Sequence, residues 1–271
     1  MKASSTLVRE QILQGAVGIP SAWLSRCLAC ACQEWGVSRA WGGIILTLPF
    51  LVASGGAAAA LLGKPFYKWV TREDGAAEWL QVVLYTAALA LGIAVVRRLF
   101  RAEEKFVAVL YVLLCLGLLF LIGEELSWGQ RIFGWETPEA LKQIHKQQET
   151  NLHNIYGVGN IFKWVQMLVG AYGVFLPLIV FRAKGLAPYA TRLALITPPY
   201  SLIPYFLLMF LWRGYRNLLP DPPARFYYTV SEYNEVIELV LALGLFLFAY
   251  FQLRKLRVEG VSPGAPAGAA H

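Results

Sequence analysis

Long apolar blocks alternate with short polar segments along most of the chain. Six blocks are long enough to cross about 30 Å of hydrocarbon, because an α-helix rises about 1.5 Å per residue. A helix is the form expected for each block, since an open strand in lipid would leave backbone polar groups without hydrogen bonds. The pattern predicts transmembrane helices over 42–62, 76–96, 106–126, 158–181, 193–212 and 233–251.

Two of the predicted helices contain residues that affect helix packing. The fifth includes Pro198, Pro199 and Pro204, so we expect it to be kinked or partly unwound. The first includes Gly55 and Gly56 beside a run of alanines, which favours a close approach to a neighbouring helix.

The two ends of the chain differ from this pattern. A proline and an arginine interrupt the apolar stretch near the amino terminus, so we expect 1–40 to be a cytoplasmic or interfacial amphipathic segment. Residues 257–271 are rich in Gly, Pro and Ala, which is typical of a disordered tail. The predicted fold is an all-α integral membrane bundle of six transmembrane helices over 41–256, with an amphipathic helix in the outer loop.

Composition excludes a disordered chain, a coiled coil and an ordinary cytosolic enzyme. Hydrophobic residues make up 57% of the chain and charged residues 15%, whereas a soluble domain carries about a quarter charged residues. The net charge of +7 indicates membrane orientation rather than nucleic-acid binding. With the amino terminus inside, the larger share of the 24 Lys and Arg is cytoplasmic. We therefore expect a bacterial inner-membrane protein with both termini in the cytoplasm and an outer loop over 129–156.

Two carboxylates end the third predicted helix. Glu124 and Glu125 follow a long apolar run, where the helix dipole disfavours negative charge. A charge at membrane depth also costs a few kcal/mol. We expect either Arg131 or a bound cation to offset that cost.

The outer loop carries three further groups that are able to bind a metal. A helix start signal at 137–139 predicts a helix in which His145, Glu149 and His153 share one stripe, because each step of four residues turns by only about 40°. Together with Glu125, these side chains form a ligand set that suits a divalent transition metal, Zn²⁺, Fe²⁺ or Mn²⁺. The alternative is an exposed amphipathic helix whose His and Glu side chains face water.

A second acidic group opens the sixth predicted helix. Ser231 is a suitable helix cap, and Glu232 and Glu235 would then lie in a first turn that the dipole favours. Glu238 lies about two turns into this predicted helix, among apolar residues, and an ionisable group there is a functional candidate by default. Both acidic groups are predicted at the outer side, so we expect them to meet at one site.

Basic and aromatic residues follow the fifth predicted helix on the same side. Arginine binds phosphate through two parallel hydrogen bonds, and tyrosine is favoured at the headgroup level. The alternative is an ordinary interfacial belt. The predicted substrate-binding residues are Arg131, Arg213, Arg216 and Arg225.

The stretch Glu-Glu-Leu-Ser-Trp-Gly-Gln-Arg over 124–131, followed by Glu-Thr-Asn-Leu-His-Asn over 149–154, resembles a pattern in uncharacterised bacterial multi-pass membrane proteins. This resemblance implies no known activity, and His145 is not part of the pattern. Glu124, Glu125 and Ser127 at a helix end are loosely similar to the alkaline ceramidase and adiponectin-receptor superfamily, which implies metal-dependent hydrolysis as an analogy of mechanism. That family has seven spans and paired histidines in its last helix, where this chain has Glu235 and Glu238.

The leading hypothesis is a membrane-embedded metal-dependent enzyme, a hydrolase that acts on a lipid or another amphiphilic substrate at the outer face. Glu124 or Glu238 would carry the proton of a metal-bound water, and Gln130 and Asn154 would polarise a carbonyl. A carboxylate-bridged pair of redox metals is a variant of this hypothesis.

Two other classes remain open from the sequence. One is a non-enzymatic transporter or assembly subunit whose carboxylates handle protons or cations; the prolines of the fifth helix and Glu238 are typical of it, but the chain shows no inverted repeat. The other is a structural membrane protein with a polar cap. In each case the expected partners are membrane lipid and, for an enzyme, a lipid-like substrate, with no nucleic acid.

Overall fold

The structure is a computed structural model that describes residues 28–29, 32, 36–72, 74–143, 150–152, 155, 157–182 and 184–258. Most of the predicted interfacial segment and nearly all of the predicted tail lie outside the described residues. The regular elements are α1 (Arg39–Ala59), α2 (Lys64–Thr71), α3 (Ala76–Arg101), α4 (Lys105–Glu125), α5 (Gln130–Phe133), α6 (Glu139–Lys142), α7 (Val158–Arg182), α8 (Ala190–Ile196), α9 (Ile203–Leu218) and α10 (Ala224–Val258).

Helices are the only regular structure in the described part of the chain, which contains no strand. This confirms the predicted all-α membrane bundle, so the protein is an integral membrane protein. Six stretches of the described chain are long and apolar enough to cross a membrane: Arg39–Leu62, Lys64–Arg101, Lys105–Glu125, Val158–Val180, Arg192–Leu218 and Ala224–Arg257.

The last helix, α10, is the centre of the bundle. Its apolar window is 72% buried, against 22% to 44% for the other five spans. It packs along α3 and also contacts α9 and α1. Gly56 of α1 permits the last contact, since an added Cβ there would lie 2.5 Å from Val236 of α10. The predicted close approach at Gly56 is confirmed, whereas no atom of the described residues lies within 4 Å of a Cβ at Gly55.

The proline-rich fifth span is interrupted, as predicted. Helix α8 ends at Ile196, residues 197–199 are not helical, and Pro204 lies in the first turn of α9. The amide of Gln252, which is fully buried in α10, donates to the carbonyls of Ala194 (3.2 Å) and Thr197 (3.3 Å). These bonds satisfy backbone groups that the break leaves without helical partners.

The start of the sixth span differs from the prediction. Helix α10 begins at Ala224, directly after two prolines, so Ser231 lies inside the helix and is not its cap. Proline favours the first positions of a helix, and this signal at 222–223 outweighs the one at Ser231. Glu232 and Glu235 are therefore two to three turns from the helix start, beyond the region where the dipole stabilises an acidic side chain. The helix dipole therefore does not explain why Glu232 and Glu235 occur at these positions.

Candidate functional site

Acidic side chains gather at one end of the bundle. We define the carboxylate cluster as Glu78 of α3, Glu125 of α4, and Glu235 and Glu238 of α10. Glu125 is within electrostatic range of the other three. All four lie in helices that are apolar enough to span a membrane. The acidic residues at the end of α4 and in α10 were expected to lie close together, and Glu125 does lie near Glu235 and Glu238. Glu78 belongs to the same cluster.

Two arginines compensate part of this charge. In α9, Arg213 is only 4% exposed and donates from Nη2 to Glu238 Oε1 at 2.7 Å. The Asn234 side chain donates to the same oxygen at 2.6 Å. After α4, Arg131 donates from Nη1 to Glu78 Oε1. With the four glutamates ionised, these two guanidinium groups would leave an excess of negative charge in a region where charge is costly.

The face of α3 that meets the cluster adds two buried polar side chains. Gln81 is fully buried and donates from Nε2 to the Glu235 carbonyl (3.1 Å) and to Glu235 Oε2 (3.2 Å). No described residue donates to Gln81 Oε1, although that atom is buried. Tyr85, 2% exposed, lies within electrostatic range of Glu125 and Glu238. The cluster thus contains an unsatisfied acceptor beside carboxylates, which is a favourable place for a proton donor or a cation.

The Glu124 side chain contacts the loop that follows α4 rather than the residues of the carboxylate cluster. Its side chain is buried, Oε1 accepts a hydrogen bond from Trp128 Nε1 at 2.7 Å, and Oε2 accepts one from the Leu152 backbone N–H at 2.8 Å. Glu124 was predicted as a proton carrier. In the structure Glu124 instead has a positioning role, because its two oxygens connect the end of α4 to Trp128 and to the backbone of Leu152.

Gln130 connects the same two segments. Its Nε2 donates to Thr137 Oγ1 at 2.9 Å, and its Oε1 accepts from the Thr150 backbone N–H at 2.8 Å. Asn151 Nδ2 also donates to Ser127 Oγ at 3.4 Å. The two halves of the sequence pattern are therefore hydrogen-bonded to each other, which explains their distinctive residue types without assigning a reaction to them.

The turn after α4 has an unusual backbone. Ser127 (φ 46°), Trp128 (φ 54°) and Gly129 (φ 94°) are consecutive residues in the left-handed region. For the two non-glycine residues this costs on the order of 1–3 kcal/mol each, and such strain clusters at functional sites. The Trp128 ring packs on Gly123, where an added Cβ would lie 3.0 Å from it. The turn reverses the chain and brings Arg131 back against Glu78.

The predicted loop helix is correct at its start and wrong in its extent. Helix α6 begins at Glu139, as the start signal indicates, but Thr150, Asn151 and Leu152 are not helical. The reason is that the backbone N–H groups of Thr150 and Leu152 bind side-chain acceptors of Gln130 and Glu124 instead of helical carbonyls. A single helix stripe through this segment is therefore excluded.

Most of the predicted metal set falls where the structure gives no description. His145, Glu149, His153 and the predicted catalytic Asn154 lie outside the described residues. Glu125 is described and 9% exposed. Within the described ranges, no group of three His, Cys, Asp or Glu side chains is arranged to hold a metal ion.

The four predicted anion-binding arginines separate into two pairs. Arg131 and Arg213 face carboxylates of the cluster. Arg216 Nη1 lies 3.4 Å from Asp221 Oδ1 near the end of α9. Arg225 is exposed at the start of α10, with its guanidinium carbon 4.6 Å from the centre of the Phe226 ring. The structure therefore does not bring the four arginines to one place.

No role for Glu78, Gln81, Tyr85 or Asn234 was predicted from the sequence. One signal was present, because Glu78, Gln81 and Tyr85 are spaced three and four apart in an otherwise apolar helix and so share a face. Polar residues on one face of a membrane helix are typical of a face that meets other polar groups.

Comparisons of this chain with models of protein families, with curated proteins and with solved structures found no match. Function must therefore be inferred from the chemistry of the carboxylate cluster and its loop.

Proposed function

We propose that the protein is a multi-pass membrane transporter or assembly subunit whose carboxylate cluster binds and releases protons or cations. The observation that supports this is the convergence of four glutamates from three helices, which Arg131 and Arg213 alone among the described basic residues contact by hydrogen bonds. An ionisable group inside a membrane helix is expensive and marks ion pathways and proton relays. An excess of carboxylates over arginines leaves sites that a proton or a cation fills.

The four carboxylates have different tasks in this proposal. Glu78 and Glu238 accept hydrogen bonds from arginines, which hold them in place. Among the described residues, no donor is hydrogen-bonded to Glu125, and Glu235 receives only the Gln81 amide. Glu125 and Glu235 are therefore the exchangeable pair. Their oxygens, with the unsatisfied Gln81 Oε1, favour protons or hard cations such as Na⁺, Mg²⁺ or Ca²⁺.

Proton flux into proteoliposomes tests this function. Purified protein is reconstituted, a potassium diffusion potential is imposed, and internal pH is followed with a trapped dye. We expect a protein-dependent flux that falls at least about tenfold in Glu125→Gln and in Glu235→Gln, because the amide takes up no proton. Thermal unfolding is measured in parallel at constant ionic strength with Na⁺, K⁺, Mg²⁺ or Ca²⁺, since a bound cation stabilises the folded state by mass action.

Glu139→Gln is the matched control. The Glu139 side chain is 81% exposed, lies outside the spans and pairs with Lys142 at 2.7 Å. It should keep both the flux and any cation-dependent stabilisation. If the wild-type protein shows neither proton flux nor stabilisation by any of the four cations, the transport proposal is rejected.

A second candidate is the metal-dependent enzyme, a hydrolase of lipid-like substrates. The observation that favours it is the docking of Thr150 and Leu152 onto Gln130 and Glu124, next to Glu125. Two predicted ligands, Glu149 and His153, adjoin these anchored residues in the sequence. A Zn²⁺, Fe²⁺ or Mn²⁺ ion would activate water, and Glu125 would complete its ligands.

The described contacts change the roles within that enzyme. Glu238 is a better proton carrier than Glu124, because Glu124 uses both oxygens to hold the loop. Gln130 likewise uses both ends of its amide for the loop, so Asn154 would polarise the carbonyl. Arg225, exposed at the start of α10, would contact the anionic part of an amphiphilic substrate.

For either function we propose the orientation given by the basic residues. The cluster then lies at the outer face of a bacterial inner membrane and both termini lie in the cytoplasm.

A further inference from the structure

An apolar cavity of about 310 Å³ has no residue of the carboxylate cluster in its lining. It is enclosed by α4, α7, α10 and the break between α8 and α9. Its volume is at the lower end of the range of small-molecule sites. Representative lining residues are Leu110, Leu114, Val169, Pro198, Phe206 and Phe248.

The tyrosine hydroxyls in the cavity wall already donate hydrogen bonds to the protein backbone. Two tyrosines line the cavity, and both hydroxyls donate to backbone carbonyls at the end of α8: Tyr111 to Leu195 at 2.6 Å, and Tyr172 to Ile196. A polar ligand would lose its hydrogen bonds to water and find no free donor at these hydroxyls, only their acceptor lone pairs. The wall therefore favours a hydrocarbon occupant.

The position of the cavity gives it access to lipid. Toward the cluster end, α4 and α7 are bridged by Phe120 and Phe162, whose rings stack at 5.6 Å. The cavity lies on the other side of this bridge, and the side chains that flank it on α4 and α7 face outward: Leu113 is 58% and Leu168 64% exposed.

The depth of the cavity matches one leaflet. Leu110 and Leu114 follow the start of α4 at Lys105 by roughly 8 and 14 Å along the helix axis. Half of a hydrocarbon core of about 30 Å is about 15 Å, so the cavity lies within one leaflet, in the half of it that is nearer the midplane. Basic residues lie at the corresponding end of the bundle, among them Arg101, the exposed Arg182 and Lys105, whose Nζ is 3.0 Å from Glu103 Oε2.

We infer that this cavity binds one acyl chain of a membrane phospholipid, which enters between α4 and α7 from the leaflet on the Lys105 side. The tail fills the apolar space, and the phosphate of the same lipid lies near the basic residues at that end. The bound chain replaces side-chain packing between α4 and α7 and supports the break between α8 and α9. This site is separate from the carboxylate cluster and does not depend on the function proposed for it.

The test uses a phospholipid with a diazirine in one acyl chain, incorporated with the full-length protein into nanodiscs. After irradiation, labelled peptides are mapped by mass spectrometry, and native mass spectrometry counts the lipid that stays bound in detergent. We expect one retained phospholipid and labelling of Leu114, Val169 and Phe248. Leu114→Trp fills the cavity, and Leu113→Trp is its matched control, because the neighbouring side chain is 58% exposed toward lipid.

Retention and internal labelling should be lost in Leu114→Trp and kept in Leu113→Trp. If the filling variant does not fold, the wild-type peptide map decides alone. Labelling confined to outward residues such as Leu113 and Leu168 would mean annular lipid only and would overturn the proposal. So would retention of a free fatty acid or an isoprenoid in place of a phospholipid, or equal retention in both variants.

Discussion

Arg213 donates to Glu238 at 2.7 Å across the contact between α9 and α10, and the two side chains are only 4% and 13% exposed. This ion pair is unlike the pair of Arg216 and Asp221, whose acidic partner is 72% exposed. A buried pair contributes little net stability compared with an apolar pair, but removing one partner leaves an uncompensated buried charge. Replacing only one of these two residues by an apolar residue is therefore expected to lower the free energy of unfolding.

We predict that Arg213→Met lowers the free energy of unfolding by about 3–5 kcal/mol, because Glu238 loses its cation. Arg213→Met combined with Glu238→Leu should recover most of that loss. The control, Arg216→Met, should cost at most about 1 kcal/mol, since its partner is exposed. Unfolding in mixed micelles measures all three. An equal decrease in the free energy of unfolding in Arg213→Met and Arg216→Met would contradict the prediction that burial of Glu238 makes the loss of its arginine more destabilising.

The loop after α4 depends on Trp128. In Trp128→Phe the aromatic packing against Phe120 and Gly123 is kept, while Glu124 Oε1 loses its donor at 2.7 Å. A hydrogen bond to a charged group contributes about 1.5–3 kcal/mol, so we expect a loss of that size. Trp135→Phe is the matched control, since Trp135 is as exposed as Trp128 (44% against 45%) and its indole N–H donates to no described residue.

Thermal unfolding and the rate of proteolysis between α6 and α7 measure the effect. In Trp128→Phe the unfolding temperature should fall and the rate of proteolysis should rise. In Trp135→Phe both should remain near the wild-type values. A silent Trp128→Phe would show that the strained turn at 127–129 does not need the bond to Glu124.

The sequence predicted the helices well and the site only partly, for physical reasons. Spans are encoded locally, because a long apolar run needs no partner to be recognised. The position of Glu125 beside Glu235 and Glu238 was predicted from their shared side of the membrane. The contribution of Gln81 was missed, because its significance depends on α10 packing against α3, which no local pattern encodes.

The structure of the loop after α4 could not be predicted from local sequence for a different reason. A spacing of four residues between Glu149 and His153 predicts a shared stripe only if the chain between them is helical. The backbone N–H groups of Thr150 and Leu152 are bound by side chains that are about 20 to 30 residues away in the sequence. Contacts at such separation override local periodicity, so the chain at 150–152 is not helical.

The orientation is tested by cysteine labelling at opposite ends of α4. Arg101→Cys and Lys142→Cys are placed in a background in which the four native cysteines are replaced. We expect an impermeant maleimide added to intact spheroplasts to label Lys142→Cys alone, and labelling of Arg101→Cys to require lysis. The excess of basic residues on the Arg101 side is the physical reason. Labelling of Arg101→Cys in intact spheroplasts would invert the topology, and labelling of both would contradict the six-span arrangement.

The enzyme candidate makes its own prediction, which separates it from the transport proposal. If Glu125, Glu149 and His153 hold a catalytic ion, one divalent transition metal per chain co-purifies in detergent and is detected by elemental mass spectrometry. Glu149→Ala and His153→Ala should each lower the metal content by about tenfold or more while the protein remains folded, because a metal site with three protein ligands loses most of its affinity without one. His271→Ala is the matched control, since it removes a histidine at the last position of the chain and should leave the content unchanged. Equal metal content in the wild type and in all three variants would reject the metal centre, and Glu125 would then be left to the exchange of protons or hard cations.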